Sequence, residues 1–178
     1  MIRLASPSIA LHSHDVPGYK YPMDYTINLA AGASALVVVS AIRNAVQQSA
    51  GKFLHNVVIN CHGGSGALYV GGGGSAPLDD TTISPFDQMR GEVGRIWLVA
   101  CQVARGKAKR KGPEGIAFCA ALAVTADCEV VAARRSQHVN GVFAIFHPKN
   151  HIDRFEGTVY LFSPLGTYAP WHPISDPK

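Results

Sequence analysis

The clearest indication of the fold is a short apolar run that ends in a histidine and two glycines: Asn56-Val57-Val58-Ile59-Asn60-Cys61-His62-Gly63-Gly64. A continuous apolar run of this length, bounded by turn residues, is typical of a strand that is buried on both faces of a sheet. The glycines predict a tight loop at the carboxyl end of the strand. We therefore expect a buried strand that delivers His62 to one edge of a sheet.

Similar patterns continue on both sides of this run. Further strands are predicted at residues 67–70, 95–100, 129–133, 141–146 and 157–162. Helices are predicted over residues 34–50 and 84–91 and from Pro113 onward, although the β-branched residues 37–39 could instead open a strand. Because strands and helices alternate, the predicted fold class is a single α/β domain with a mainly parallel central sheet flanked by helices. The α/β domain spans residues 34–178, and the weakly periodic residues 1–33 form an amino-terminal extension that packs on its edge.

Composition limits the classes of protein that this chain can represent. The 178 residues are 47% hydrophobic and 16% charged, which suits one globular domain and excludes a disordered chain, a coiled coil and a collagen-like fibre. No apolar stretch approaches the roughly 20 residues of a membrane span, and residues 1–10 lack the pattern of a secretory signal. Four cysteines without a close pair are typical of reduced thiols. We expect a cytoplasmic protein as synthesised, and export by a specialised secretion system would leave no trace of this kind.

Much of the net charge of +4 lies in one segment. Five cations occur within seven residues: Arg105, Lys107, Lys109, Arg110 and Lys111. Such a run forms either a solvated surface loop or a phosphate-binding, nucleic-acid-binding or protease-cleaved segment. No aromatic residue lies among these cations, which argues against a platform for single-stranded nucleic acid and leaves no clear nucleic-acid site.

Two reactive side chains follow the predicted buried strands. His62 follows the first strand and Cys101 follows the strand at residues 95–100. Ligands gather beyond the carboxyl ends of the strands in open parallel sheets, and adjacent strands would bring these ends together. A thiol needs a nearby base to become a thiolate near neutral pH, and an imidazole is the usual one. Gly63 and Gly64 would let the backbone approach a substrate closely and direct N–H donors at a developing oxyanion.

This arrangement resembles the caspase-like cysteine peptidases, which include caspases, clostripain, gingipain, legumain, separase and the bacterial CHAT and toxin-processing domains. The resemblance covers roughly residues 54–165 and rests on the order of an apolar run, His62-Gly63, a second apolar run, Ala100-Cys101 and a loop containing Gly106 before a helix. Val99 and Val103 stand where true caspases carry glutamine and glycine, so the bacterial members are nearer and aspartate specificity is unsupported.

The resemblance implies a single-domain caspase-like sandwich fold. It also implies a cysteine endopeptidase that acts on a protein or peptide through a thioester. Cys101 would be the nucleophile, His62 the general base and acid, and the amides of Gly63 and Cys101 the oxyanion donors. This chemistry needs neither a metal nor an organic cofactor.

The resemblance also implies a specificity loop at residues 133–137. Arg134 and Arg135, with Ser136 beside them, would pair an acidic side chain of the substrate, unless the arginines simply face solvent. A preference for lysine or arginine would instead need one of Asp15, Asp79 and Asp80. The basic segment at residues 105–111 corresponds to an exposed linker, which implies an autoprocessing site or a loop that binds an anionic activator.

Alternative functions remain open at this point. The fold could serve as a non-catalytic interaction module. A cysteine-dependent phosphatase or sulfurtransferase is a further alternative, but Lys107 stands where such a loop usually has arginine. His12, His14 and Asp15 make a weak metal set, and residues 71–74 match no phosphate-binding motif. Core packing is predicted for Cys61, Cys119 and Cys128.

Overall fold

The chain forms eleven strands and three helices in the part that the structure describes. The structure is a computed structural model, and it describes residues 1–16, 20–105, 115–137 and 147–172. The strands are β1 (Ile2–Arg3), β2 (Ser8–Ser13), β3 (Tyr25–Leu29), β4 (Leu54–Asn60), β5 (His62–Gly64), β6 (Ala67–Tyr69), β7 (Val93–Val99), β8 (Glu129–Ala133), β9 (His151–Ile152), β10 (Val159–Phe162) and β11 (Tyr168–Trp171). The helices are α1 (Ala35–Gln48), a 3₁₀ helix (Ser84–Met89) and α2 (Gly115–Ala126).

A central sheet of seven strands has the order β11-β10-β8-β7-β4-β2-β3. The five strands from β3 to β8 pair in parallel, whereas β8, β10 and β11 pair antiparallel. The prediction of a mainly parallel sheet is therefore corrected, because the sheet is mixed. Only five residues connect β10 to β11, and so short a connection permits only antiparallel pairing. The coarser prediction of a single α/β domain is confirmed.

The first 33 residues supply two strands of this sheet. β3 lies at one edge of the sheet, but β2 lies inside the sheet between β3 and β4. All six residues of β2 are buried, and its polar side chains have partners. Ser8 Oγ donates to Asn150 Oδ1 at 2.8 Å, and His12 Nδ1 lies 3.0 Å from Asn60 Nδ2. These residues lack a clear apolar period because half of the strand is polar and nevertheless buried.

Most elements predicted from apolar runs are confirmed. α1 is helical throughout, including residues 37–39, where Val38 and Val39 are buried and Val37 is exposed. The predicted strands at residues 95–100 and 129–133 match β7 and β8, and the helix predicted after Ser84 is a 3₁₀ helix. The strand predicted at residues 141–146 and the helix start at Pro113 lie outside the described residues.

The sheet carries a hydrophobic cluster on each face. One cluster joins Ile59 and Leu98 to buried side chains of all three helices, so the described helices share one face. The second cluster joins Val58 and Trp97 to Tyr21 and neighbouring residues outside the helices. None of the helices in the described ranges is long and apolar enough to cross a membrane. The sheet therefore has a helical face and a face that loops and short strands cover.

Candidate active site

Two neighbouring strands deliver His62 and Cys101 to the same edge of the sheet. β4 and β7 are adjacent and parallel, and Asn60 lies opposite Val99. His62 comes two residues after Asn60, and Cys101 comes two residues after Val99. The amide of Cys61 donates to Val99 O at 3.3 Å, which extends the pairing one residue beyond the strand. The two predicted residues therefore leave the sheet at the same level, on adjacent strands.

Gly63 lies flat against the segment that carries Cys101. A Cβ atom added at Gly63 would lie 2.8 Å from Cys101 O and 2.9 Å from Ala100 Cβ. Real Cβ atoms do not approach other atoms so closely, so a side chain at this position would push the two segments apart. The absence of a side chain at Gly63 thus allows the chain after β4 to touch the chain after β7.

The amides predicted to bind an oxyanion are not engaged by neighbouring strands. Leu68 lies opposite Gly63 in the β5–β6 pair, but its amide and its carbonyl both bond to Leu78. The N–H and C=O groups of a strand residue point to the same side, so Leu68 directs both groups at Leu78 and neither at Gly63. In such a non-hydrogen-bonded pair, the amide of Gly63 also points away from its partner strand β6. Within the described ranges, the amide of Cys101 has no hydrogen-bond partner. Both N–H groups could therefore donate to a ligand.

The turn after Cys101 is built on a residue in the left-handed region. Gln102 has a φ of 57°, which is uncommon for a residue other than glycine. The Gln102 amide donates to Arg135 O at 3.1 Å, and its side-chain amide donates to Ser136 Oγ at 2.9 Å. These bonds hold the turn against the loop that follows β8, so the predicted specificity loop lies beside Cys101.

Cys101 differs from the other three cysteines in its surroundings. Cys101 is partly exposed, whereas Cys61, Cys119 and Cys128 are buried, which confirms core packing for those three. Burial raises the pKa of Cys61 and of Cys128 to about 12, so neither thiol ionises near neutral pH. The Sγ atom of Cys101 lies 3.6 Å from Gln137 O, a contact in which the neutral thiol donates.

The carboxylate of Asp15, which the sequence offered only as a possible specificity-pocket acid or metal ligand, lies next to His62. Asp15 follows β2, the strand adjacent to β4 on the side away from β7, and its Oδ2 lies 3.7 Å from His62 Nε2. The side chains of His62 and Asp15 are 46% and 30% exposed. Three neighbouring parallel strands thus deliver an acid, an imidazole and a thiol to one edge of the sheet.

Hydrogen bonds hold the carboxylate of Asp15 in its charged form. Ser13 Oγ donates to Oδ1 at 2.6 Å, and the amide of Gly73 donates to Oδ2 at 2.8 Å. The bond from Ser13, then the bond from Gly73 and the nearby His62 lower the pKa of Asp15 below its ordinary value. If a strand had been predicted at residues 8–13, Asp15 would have been expected at this edge. The strand was not predicted because half of the residues of β2 are polar.

An arginine-lined cleft lies next to Cys101. Its volume is about 700 Å³, and the residues that line it are Gln102, Arg105, Arg134, Arg135, Ser136, Glu156 and Thr158. All three residues predicted to bind substrate therefore share one cleft with the residue that follows Cys101. Three guanidinium groups and one carboxylate give the lining an excess of positive charge. Of the basic segment, only Arg105 falls within the described residues, while Lys107, Lys109, Arg110 and Lys111 lie outside them.

A second cleft lies far from Cys101, at the amino ends of the strands. Its volume is about 440 Å³, and it is lined in part by His55, Asn56, Trp97 and Trp171. The guanidinium of Arg95 lies over both tryptophan rings, 5.4 and 5.1 Å from their centres. No cysteine is among the described residues that line this cleft.

No metal site accompanies the candidate active site in the described ranges, where no group of three histidine, cysteine or acidic residues could hold an ion. His12 is buried and bonded to Asn60, whereas Asp15 faces His62, so the weak metal set of the sequence is divided between two roles.

In comparisons with known proteins, no protein-family model and no curated protein matches this chain.

Proposed function

We propose that this protein is a cysteine peptidase in which Cys101 is the nucleophile and His62 is the general base and acid. The observation that carries the proposal is the register of β4 and β7, with Asn60 opposite Val99, because it supports a meeting of the two side chains beyond the strand ends. Asp15 would orient the imidazole. Among the four cysteines, Cys101 alone is partly exposed, and this exposure adds to the support.

The proposed reaction has two steps. The thiol of Cys101 transfers its proton to His62, and the sulfur attacks the carbonyl carbon of the scissile bond. The amides of Gly63 and Cys101 donate to the oxyanion, the C–N bond breaks, and His62 returns the proton to the leaving amine. Water then attacks the thioester while His62 accepts one of its protons. The C–S bond breaks, the peptide acid leaves, and the thiol of Cys101 is restored.

We further propose that the arginine-lined cleft binds an acidic side chain of the substrate on the acyl side of the scissile bond. The cleft is adjacent to Cys101 through Gln102, and its arginines suit a carboxylate, since planar guanidinium groups can bind both of its oxygens. Arg105 extends the set that the sequence analysis predicted, and its Nη1 donates to Gln102 Oε1 at 2.8 Å.

A fluorogenic peptide library, assayed on the full chain, tests this function. We expect Cys101→Ala to abolish hydrolysis, and His62→Ala to reduce kcat by about 10²- to 10⁴-fold, as is typical for the loss of a general base. Cys128→Ala removes a buried thiol and is the matched control, which should retain hydrolysis. Hydrolysis that survives in Cys101→Ala, or its absence with every peptide, would contradict the proposal.

The acidic preference has its own test. We expect peptides with aspartate or glutamate before the scissile bond to be preferred, and Arg134→Gln or Arg135→Gln to raise KM for these peptides more than tenfold, as the loss of a charge-assisted hydrogen bond of about 1.5 to 3 kcal/mol requires. Arg154→Gln changes an exposed arginine outside the cleft and serves as the control. An unchanged preference in both cleft variants would rule out this role for the arginines.

A non-catalytic interaction module is the second candidate function, and one contact favours it. The thiol of Cys101 donates to Gln137 O, 3.6 Å away, so its hydrogen already has a partner within the chain. The rate of iodoacetamide labelling at pH 6 distinguishes the two functions. Rapid labelling of Cys101 that slows in His62→Ala supports the peptidase, whereas slow labelling that is unchanged in this variant supports the module.

A further inference from the structure

Two of the four consecutive glycines at residues 71–74, Gly72 and Gly73, lie against Asp15, although the proposed reaction does not use them directly. We call Gly71, Gly72 and Gly73 the glycine loop. The amide of Gly73 donates to Asp15 Oδ2 at 2.8 Å, which is the same oxygen that faces His62. The loop thus holds the carboxylate oxygen that lies nearest to the imidazole.

Gly72 occupies a position that only glycine suits. It is buried and has a φ of 100°, a conformation that other residues rarely adopt. A Cβ atom at Gly72 would lie 2.5 Å from His14 Cε1 and 3.1 Å from Asp15 Oδ2. Any side chain here would displace the segment that carries Asp15.

The other side of the loop is seated on the segment that precedes α1. A Cβ atom at Gly71 would lie 2.5 Å from Ala33 N, and Gly71 O accepts the amide of Gly32 at 2.9 Å. Since Ala33 is buried in the larger hydrophobic cluster, the loop rests on a packed part of the molecule. Movement of the loop away from Asp15 would disturb this packing.

The backbone also ties the glycine loop to His62. The amide of Gly72 donates to Tyr69 O at 3.2 Å, and Tyr69 lies opposite His62 in the β5–β6 pair. One connected path therefore runs from His62 across the hairpin to the loop, from the loop to Asp15, and from Asp15 back to His62.

We propose that the glycine loop is the element that holds Asp15 against His62, and that Gly72 and Gly73 are positioning residues for the proposed reaction. This inference rests on the proposed function for its catalytic consequence, but the position of Asp15 can be measured without any activity. Gly72 acts by fitting between His14 and Asp15, and Gly73 acts through its N–H group.

Activity of two alanine variants of the full chain tests the catalytic consequence. In Gly72→Ala we expect kcat to fall about 100-fold with little change in KM, because a small displacement of a catalytic group has effects of this size. Gly74→Ala is the matched control, since no atom lies within 4 Å of an added Cβ and the residue has no left-handed φ. An equal loss of activity in Gly74→Ala would overturn the proposal.

A double-mutant cycle separates positioning from general damage. Asp15→Asn should lower kcat to a similar extent, and adding Gly72→Ala to Asp15→Asn should lower it no further, because both changes remove the same interaction. Two losses that multiply in full would show that Gly72 acts independently of Asp15 and would overturn the proposal.

Measurements without substrate distinguish failure of this inference from failure of the proposed function. By NMR, we expect the amide of Gly73 to exchange slowly with solvent, and Asp15→Asn to accelerate the exchange about tenfold or more. In Gly72→Ala the pKa of Asp15 should rise toward its ordinary value, because the bond from Gly73 is lost. Rapid exchange of the Gly73 amide in the unaltered chain would overturn the inference even if Gly72→Ala fails to fold.

Discussion

At the scale of single residues, burial assigns different roles to histidines that look alike in the sequence. His12 lies near the carboxyl end of β2 and is 1% exposed, whereas the side chain of His62 is 46% exposed at the sheet edge. The neutral ring of His12 accepts from Asn60 Nδ2 and lies 3.4 Å from Tyr21 O, to which its other nitrogen donates. His12 is therefore a structural side chain, while His62 is open to solvent.

The protonation of His12 predicts a pH dependence of stability. Burial, with a smaller contribution from Lys20, lowers the pKa of His12 from 6.5 to about 4. As the pH falls from 6.5 to 4, the unfolded chain takes up a proton that the folded chain does not. The free energy of unfolding should therefore decrease by up to about 3 kcal/mol across this window. Urea unfolding between pH 7 and pH 4 measures the decrease.

Two variants identify the residue behind this dependence. In His12→Asn the free energy of unfolding should decrease less between pH 7 and pH 4, by up to about 3 kcal/mol less than in the unaltered chain. This difference does not depend on the stability of the variant at pH 7. His172→Asn changes an exposed histidine and should leave the profile as it is. An unchanged profile in His12→Asn would show that other groups cause the acid sensitivity.

At the scale of elements, α2 supports the turn that carries Cys101. Gly115 begins the helix, and its amide donates to Arg105 O at 3.1 Å. A Cβ atom at Gly115 would lie 2.1 Å from Val103 O, so the helix packs directly on the backbone of the turn. The close approach of this helix explains why the chain after Cys101 stays near the sheet edge.

Substitution of Gly115 should therefore affect both stability and the site. We expect Gly115→Ala to destabilise the protein by about 1 to 3 kcal/mol, since it overpacks a closely packed contact. It should also displace the turn and alter the rate at which iodoacetamide labels Cys101. Gly51→Ala is the matched control, because an added Cβ there has no atom within 4 Å. Equal stability and equal labelling in the two variants would show that α2 does not support the turn.

At the scale of the whole molecule, the sheet joins the first residues of the chain to the rest. β2 is interior, and Met23 packs in the cluster on the second face of the sheet. Phe86 is fully buried in the cluster on the helical face. Because both clusters share one sheet, we expect the molecule to unfold in a single transition.

Substitutions in either cluster should lower the free energy of unfolding that is measured from this single transition. We expect Phe86→Ala to cost about 3 to 5 kcal/mol and Met23→Ala about 2 to 5 kcal/mol. Urea unfolding followed by circular dichroism and by tryptophan fluorescence measures both, with the 87% exposed Leu165→Ala as the control. Two transitions, of which only the earlier one responds to Met23→Ala, would instead separate residues 1–33 from the remaining domain.

The local part of the fold was predictable because it depends on neighbours in the sequence. Consecutive apolar residues made β4, β7 and β8 recognisable, and helical spacing made α1 recognisable. β2 was not recognised because its buried polar groups depend on partners such as Asn150, which is 142 residues from Ser8. The pairing of Asp15 with His62 was missed for the same reason, since it depends on the position of β2.

The α/β class, the central buried strands and the positions of His62 and Cys101 at their ends were predictable from the amino-acid sequence alone. These properties follow from apolar periodicity and from the turn preferences of glycine, which act over a few neighbouring residues. Three further features became evident in the folded molecule: β10 and β11 run antiparallel, Asp15 lies next to His62, and the arginines share a cleft beside Cys101. Strand order and burial are set by contacts between residues that are remote in the chain. A local sequence pattern does not contain the free energies of these contacts.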